Sequence, residues 1–345
     1  MLFSKKVDIL FYVASHIDEI WIRSTIKHLK NKKVRICLLV SNNIPENLLE
    51  HYRQCSIELI SIKNARKLKK YHAKILVSPS TNILKSTFSE QIKYFVHMPH
   101  SLVSLHGVYL NNSFDAYNCL FAAGSHHVRE FEELSAIRGL EKTRIFHTGY
   151  GKFDELLTRS HLDNTVNQKH VLIAPSWGEA NIIETIGYEL INQLIGLGYK
   201  VTLRPHSMFY FEKKNMLEPF KRITHPFFLI EDFSSCWDSL FNSNILITDF
   251  SGVAFEYHYI QQRKIIFVDT NPKILNSEYS KFTNPLVEFE ARKQIGLVSA
   301  CAVKDVISCV QTKTLQATGL RDDFVYNKDN CGKVAVTQLM ELLQC

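Results

Sequence analysis

Residues 245–257 join a short apolar run, a polar turn and a helix-like segment in an order that suits anion binding. The run Ile245 to Ile247 predicts a buried parallel strand. The turn that follows is made mostly of small polar residues: Thr248, Asp249, Ser251 and Gly252. At a helix N-terminus the backbone N–H groups point outwards and the helix dipole favours negative charge. The segment therefore predicts a phosphate site, and the same residues also fit an ordinary strand–turn–helix with a serine cap.

Three residues of this segment have separate expected roles. Ser251 is of a type that caps helices, and Gly252 allows a phosphate to approach the backbone closely. Glu256 lies one helical turn further on. It is placed either to bond a ribose hydroxyl or to be an ordinary exposed helix carboxylate.

Polar residues also follow two other predicted strands of the second half. Ser176 comes after the run 170–174, whereas Arg204 and His206 come after the run 199–203. A guanidinium offers a fixed fork for phosphate oxygens, and an imidazole with a pKa near 6.5 can donate to a phosphate or a leaving group. These residue types predict group transfer from an activated, nucleotide-linked donor.

The first half carries histidines where a predicted strand ends. His97 and His100 flank Pro99 directly after the run 93–97, and His106 follows shortly. Ligands of parallel sheets bind at the carboxyl ends of the strands. A histidine there can take a proton from an acceptor hydroxyl, an effect worth typically ~10²–10⁴-fold in rate. A loop histidine bonded to the backbone is the alternative for each of them.

The elements that position these residues alternate between apolar strand-like runs and helical patterns along the whole chain. That alternation predicts an α/β fold with two Rossmann-like parallel-sheet domains facing each other across a cleft. We expect an N-terminal domain at 1–157, a polar linker at 158–169 and a C-terminal nucleotide-binding domain at 170–345. No GxGxxG follows the first predicted strand, so the dinucleotide fingerprint is absent there.

Four segments, in this order, resemble the motif set of the CDP-glycerol glycerophosphotransferase family. They are Gly149-Tyr-Gly-Lys-Phe-Asp154, Ala174-Pro-Ser-Trp177, Arg204-Pro-His206, and Thr248-Asp-Phe-Ser-Gly-Val253 with Glu256-Tyr257. Members of that family prime or polymerise teichoic acids and related capsular polyol phosphates. The resemblance implies a GT-B fold and a glycerol-phosphate or related polyol-phosphate transfer from a CDP-linked donor, with release of CMP.

The resemblance also implies roles for single residues. The turn 248–252 would hold the donor pyrophosphate, and His206 would be one of two functionally important histidines. The other lies in a His-Gly-Thr segment of the family, for which His100-Ser101-Leu102 is the nearest match here. That departure leaves His97 and His106 as rivals for the base. The chain also departs from the family pattern at Gly252, where a serine is usual, and at Glu256, where an aspartate is usual.

The composition limits the partners. The net charge of +7, from 41 basic and 34 acidic residues among 345, suits a phosphate-rich substrate or an anionic membrane surface and excludes a strong nucleic-acid-binding signature. We expect no cofactor or metal, a cytoplasmic protein peripheral to the inner face of the membrane, and a lipid-linked or polysaccharide acceptor. The alternatives are a GT-B glycosyltransferase or UDP-sugar epimerase, and a non-catalytic polymer-binding module.

Overall fold

The computed structural model describes residues 5–41, 44–55, 57–62, 65–140, 143–160, 169–231, 238–312 and 319–345. The chain divides into two compact units. Unit 1 comprises Met1–Leu156, Leu275–Asn284 and Asp322–Cys345, and unit 2 comprises Leu157–Ile274 and Pro285–Arg321. The division falls inside a helix, and most of the linker expected at 158–169 lies outside the described residues.

The strands of the described residues are, in chain order, β1 (Lys5–Lys6), β2 (Ile9–Val13), β3 (Ile36–Val40), β4 (Glu58–Ser61), β5 (Tyr71–His72), β6 (Ile75–Ser78), β7 (Tyr94–His97), β8 (Cys119–Ala122), β9 (Arg144–His147), β10 (His170–Ile173), β11 (Lys200–Leu203), β12 (Phe228–Ile230), β13 (Ile245–Thr248), β14 (Lys264–Asp269) and β15 (Leu297–Ala300). Unit 1 contains a seven-stranded sheet of order β4-β3-β2-β6-β7-β8-β9 and a small β1-β5 pair. Unit 2 contains a six-stranded sheet of order β12-β11-β10-β13-β14-β15. All the pairings are parallel, which confirms the predicted fold class of two Rossmann-like sheets.

The α-helices of the described residues are α1 (Arg23–Leu29), α2 (Glu46–Gln54), α3 (Leu105–Val108), α4 (Ser125–Arg138), α5 (Lys152–Ser160), α6 (Gly187–Gly196), α7 (Met208–Phe211), α8 (Glu218–Lys221), α9 (Asp238–Asn242), α10 (Val253–Gln261), α11 (Val287–Ile295), α12 (Val303–Gln311) and α13 (Cys331–Gln344). Short 3-10 turns connect several of them. No helix among these is long and apolar enough to cross a membrane.

The central strands of both sheets consist of buried apolar runs, because a parallel sheet covered on both faces excludes water from each side. The strands β6, β7, β8, β10 and β13 are buried along their full length. Two hydrophobic clusters cover the faces of the first sheet, and a third joins α6 and α12 to the second sheet. Continuous apolar runs are the signal that made these strands predictable from the sequence.

The C-terminal helix belongs to unit 1, which differs from the expected assignment of 170–345 to the second domain. Helix α13 packs against α1, and its residues Ala335, Val336, Leu339 and Leu342 are part of the core of the first sheet. Asp154 caps this helix, since its carboxylate accepts hydrogen bonds from the backbone N–H groups of Cys331 (3.0 Å) and Gly332 (2.8 Å). A negative charge at a helix N-terminus also interacts favourably with the helix dipole.

Two matched substitutions test which sheet α13 stabilises. Leu339 on α13 and Leu194 on α6 are both fully buried. Either leucine replaced by alanine should lower the free energy of unfolding by about 2–5 kcal/mol. In native-state hydrogen exchange, Leu339→Ala should accelerate exchange in β2 and β6, whereas Leu194→Ala should do so in β10 and β11. Faster exchange of β10 and β11 in Leu339→Ala would contradict the assignment of α13.

Candidate active site

The predicted donor-site residues of unit 2 follow strands at the point where its strand order reverses. The chain runs from β10 outwards through β11 to β12, and then returns to the other side of β10 with β13, β14 and β15. At such a reversal the neighbouring loops diverge and leave a crevice at the carboxyl ends of the strands. Ser176 follows β10 and the turn 248–252 follows β13, so both lie at this crevice.

The turn after β13 presents backbone N–H groups rather than a serine cap. Gly252, in a right-handed helical conformation (φ −61°), is the N-cap of α10 and provides no side-chain cap. The Ser251 carbonyl accepts the Ala254 N–H (3.2 Å), so Ser251 contributes its backbone and not its hydroxyl to this turn. Within the described part of the chain, the N–H groups of residues 251–253 have no protein acceptor. They are the donors that an anion would use.

Asp249 and Thr248 anchor the crevice and do not face it. Both side chains are fully buried. The Asp249 carboxylate accepts the N–H of Ser176 (2.6 Å), and the Thr248 hydroxyl donates to the carbonyl of Ala174 (2.7 Å). Burial raises the pKa of Asp249, and its hydrogen bond from Ser176 opposes that rise. These two residues therefore hold the loops after β10 and β13 together.

Arg204 and His206 lie one strand further along, after β11. Both are half-buried. The Nε of Arg204 is 3.9 Å from a Glu231 carboxylate oxygen, and its buried Nη1 has no hydrogen-bond partner among the described residues. The Nδ1 of His206 accepts the N–H of Met208 (3.3 Å), so the neutral ring carries its proton on Nε2. That nitrogen is thereby a donor, as the sequence prediction requires.

Lys273 is a residue of this site that no sequence motif indicated. It follows β14, and its ammonium lies 4.1 Å from the centroid of the Trp177 ring, whose loop follows β10. The Trp177 ring is in turn 6.1 Å from the His206 ring. Burial lowers the pKa of Lys273 to about 8, while the charges of Glu288 and Asp249 oppose the shift. Only the tertiary structure brings this lysine to the crevice.

Glu256 lies in the first turn of α10 with its side chain almost fully buried (6% exposed). It is therefore not the exposed helix carboxylate that was one expectation for it. The other expectation, a hydrogen bond to a ribose hydroxyl, stays a prediction.

In unit 1, His97 ends β7 and is completely buried among aromatic rings. Its ring centroid lies 5.0 Å from that of Phe114 and 4.9 Å from that of Tyr117. Burial, helped by the nearby His100 and His127, lowers the pKa of His97 well below its usual range. Its ring is consequently neutral and shielded from solvent at pH 7.

His100 is only half-buried, and two tyrosines and a tryptophan hold it through hydrogen bonds. Its Nε2 is 3.1 Å from the hydroxyl of Tyr109. Its carbonyl accepts the hydroxyl of Tyr150 (3.3 Å), which itself accepts the indole N–H of Trp21 (2.9 Å). The ring centroids of His97 and His100 are 6.1 Å apart. Of the three candidate bases, His100 is thus the one that is not fully buried, although its Nδ1 atom is buried.

His106 is fully buried in α3 and has a packing role. Its Nε2 is 2.9 Å from the Asn284 carbonyl, and its Nδ1 is 3.6 Å from the carboxylate of Glu130. The ring stacks on Tyr279 and packs on Phe282. These contacts fasten the segment 275–284 to the rest of unit 1.

The structure thus brings the predicted residues together in two sets. Unit 2 collects Ser176, Arg204, His206 and the turn 248–252 along adjacent strand ends. Unit 1 places His97 beside His100 and directs His106 elsewhere. No cluster of three or more His, Cys, Asp or Glu side chains with metal-binding geometry occurs among the residues that the structure describes.

Asp249→Asn should show that the carboxylate acts as a structural anchor. The amide oxygen of Asn can still accept the Ser176 N–H, and the buried charge is gone. Because the folded-state pKa of Asp249 is raised, the unfolded chain loses this proton first as pH increases above about 3.9. The wild type therefore loses stability from there up to the folded-state pKa, and the variant does not. Urea unfolding from pH 4 to 7 measures the difference in the free energy of unfolding between wild type and variant. A difference that stayed constant with pH would contradict the assignment.

A protein-family model matches the part of the chain that contains this site. The model described as CDP-Glycerol:Poly(glycerophosphate) glycerophosphotransferase matches residues 103–274. The match includes the crevice residues of unit 2 from Ser176 to Lys273, and it begins after His97 and His100. A comparison with curated protein sequences gives no match.

Solved structures with the same fold include a transferase and several epimerases. The wall teichoic acid polymerase TagF, soaked with CDPG, superposes with a TM-score of 0.58 at 15% identity over 99% of this chain and 89% of that one. The UDP-GlcNAc 2-epimerase of Methanocaldococcus jannaschii gives a TM-score of 0.64 at 13% identity over 97% and 99% of the two chains. The Neisseria meningitidis UDP-GlcNAc 2-epimerase gives 0.59 at 10% identity over 97% and 100%. At these identities the likeness establishes a GT-B-like fold and does not distinguish the reactions.

Proposed function

We propose that this enzyme moves a glycerol phosphate or related polyol phosphate from a CDP-linked donor to an acceptor hydroxyl, because residues 103–274 match the CDP-Glycerol:Poly(glycerophosphate) glycerophosphotransferase model. CMP is the second product. The observation that carries the proposal is the turn at residues 251–253, at the strand reversal of unit 2, whose N–H groups have no acceptor among the residues that the structure describes.

The donor diphosphate fits the chemistry of that crevice. The N–H groups of the turn and the helix dipole of α10 favour a phosphate. Arg204 adds a guanidinium whose buried Nη1 still lacks a partner within the described structure. A buried donor without a partner costs about 1–3 kcal/mol, and a bound phosphate oxygen would remove that penalty. Ser176 and Glu256 complete the donor-binding set in this proposal.

The transfer step is a displacement at phosphorus. The acceptor oxygen attacks the phosphorus that carries the polyol, and the bond from that phosphorus to the bridging oxygen of CMP breaks. The Nε2–H of His206 donates to the departing CMP phosphate, and Arg204 neutralises its growing charge. Positioning and charge stabilisation supply most of the catalysis in such transfers.

His100 is the proposed base that takes the proton of the acceptor hydroxyl. It is half-buried, whereas His97 is shielded from solvent and His106 is occupied by Asn284 and Glu130. The hydroxyl of Tyr109 orients its ring. His97 lies behind it as a neutral ring, with the two ring centroids 6.1 Å apart. We propose a lipid-linked or polysaccharide acceptor of the teichoic acid or capsule type, met at the inner face of the cell membrane.

The decisive test is donor turnover by the purified full chain. Incubation with CDP-glycerol, CDP-ribitol, UDP-sugars and CMP-sugars, together with a polyol-phosphate primer, should release CMP from a CDP-polyol. Release of UDP, or epimerisation of a UDP-sugar, would replace the proposal with the nucleotide-sugar alternative. Binding of the polymer without turnover of any donor would favour the non-catalytic module.

Histidine substitutions test the assigned roles. His100→Asn and His206→Asn should each lower kcat by about 10²–10⁴-fold, because each removes a proton-transfer group. The exposed His51 and His225 provide matched controls, one in each unit, and their Asn variants should keep wild-type kcat. Steady-state CMP release measures all four. Wild-type kcat in His100→Asn, with a loss in His97→Asn instead, would move the base to His97.

A further inference from the structure

The Lys273 side chain reaches from the loop after β14 to a ring in the loop after β10. In the sheet of unit 2 the order of neighbours is β10, β13, β14. Lys273 follows β14, and the ring it contacts, Trp177, follows β10. Strand β13 lies between β10 and β14. A contact between the loops after β10 and β14 therefore passes the end of β13, where the turn 248–252 lies. The ammonium of Lys273 is therefore placed near the turn at residues 251–253, whose N–H groups have no protein acceptor in the described structure.

The surroundings of Lys273 keep its charge close to this turn without neutralising it by an ion pair. No carboxylate lies within salt-bridge distance of its ammonium among the described residues, although Glu288 on α11 and Asp249 below the turn influence it electrostatically. Its aliphatic stem packs against Gly178, where an added Cβ would come within 3.0 Å of the Lys273 Cβ. The stem is thus fixed between the Trp177 loop and the β14 loop, and the charged end has capacity for another anion.

On this side of the crevice the Arg292 guanidinium is already paired with Asp269 (3.0 Å) and lies over the Phe250 ring (4.1 Å). Arg204 and His206 follow β11, on the β10 side of the reversal. A diphosphate lying across the ends of β10 and β13 would meet Arg204 at one side and only neutral N–H groups in the middle. Lys273 supplies positive charge from the β14 side. The two cations together would bracket both phosphates.

We propose that Lys273 is a second diphosphate-binding residue of the donor site, held over the turn by Trp177 and opposed by Arg204 across the crevice. The inference rests on the proposed function, since it concerns the same donor site. On this side of the crevice, Lys273 would bind the second phosphate, which a nucleoside diphosphate has and a monophosphate lacks.

The test compares the affinities of wild type, Lys273→Met, Lys273→Arg and Lys293→Met for CDP, CMP and inorganic pyrophosphate by calorimetric titration. Lys293 is exposed on α11 and controls for the change in net charge. Loss of a hydrogen bond to a charged group should weaken CDP and pyrophosphate binding by about 10- to 100-fold in Lys273→Met. CMP affinity should change much less, Lys273→Arg should restore most of the CDP affinity, and Lys293→Met should match the wild type.

Three outcomes separate the inference from the proposed function. Unchanged CDP and pyrophosphate affinity in a folded Lys273→Met protein would overturn the role of Lys273 alone. A wild type that binds pyrophosphate but not CDP would overturn the CDP-linked donor, and a loss of pyrophosphate affinity in Lys273→Met would still support the lysine. Equal losses for CDP, CMP and pyrophosphate would indicate a structural role, and thermal unfolding of the ligand-free variants would show it.

A pH series adds a readout that a structural role would not change. Binding of a diphosphate requires the protonated ammonium, and burial lowers the pKa of the free lysine to about 8. Wild-type affinity for CDP should therefore fall as pH rises above 8, approaching tenfold per pH unit. The charged groups that face Lys273 are Glu288 and Asp249, and the ring of His206 lies 6.1 Å from that of Trp177. Lys273→Met should lose this slope, and a slope that persisted would overturn the proposal.

Discussion

A buried carboxylate joins the two strands between which the order of the second sheet reverses. Asp249 accepts the N–H of Ser176, and beside it Thr248 donates to the carbonyl of Ala174. Both hydrogen bonds use side chains to fix the loops after β10 and β13, where backbone pairing between the strands has ended. Within the described structure, the N–H groups of residues 251–253 consequently make no bond that holds the turn. The burial that raises the Asp249 pKa thus accompanies a carboxylate that holds two loops together.

Unit 1 uses the same principle with different residues. The loop that carries His100 is fastened from α4, where the Nε2 atoms of His126 and His127 contact the carbonyls of Leu102 and Val103 at 3.0 and 3.1 Å. Glu130 of the same helix accepts the Leu105 N–H (2.6 Å). A loop held by buried side chains at several points keeps its remaining polar groups in defined positions. In both units, then, buried polar side chains hold the loops that carry the candidate site residues: Asp249 and Thr248 in unit 2, and His126, His127 and Glu130 in unit 1.

The sequence predicted the central strands and the strand-end residues because both depend on local patterns. Buried parallel strands are continuous apolar runs, and the polar residues that follow them in sequence lie at the carboxyl ends of the strands. The edge strand β15 escaped prediction because Leu297–Ala300 is mostly half-buried or exposed and lacks such a run. Lys273 and the packing role of His106 were not predictable, since each depends on contacts with segments distant in sequence. The sequence likewise gave no sign that α13 returns to the first sheet.

That return has a consequence for how the protein is made. A ribosome releases the strands of unit 1 early, yet the helix that covers one face of their sheet comes from residues 331–344. The apolar surface against α1 therefore stays partly exposed until residues 331–344 have emerged. Unit 2 lies within a single intervening stretch apart from residues 275–284 and can complete its core sooner. Contacts this distant in sequence fold slowly and leave surface open to aggregation. The core of unit 1 can thus be completed only after the segments of unit 2 have been synthesised.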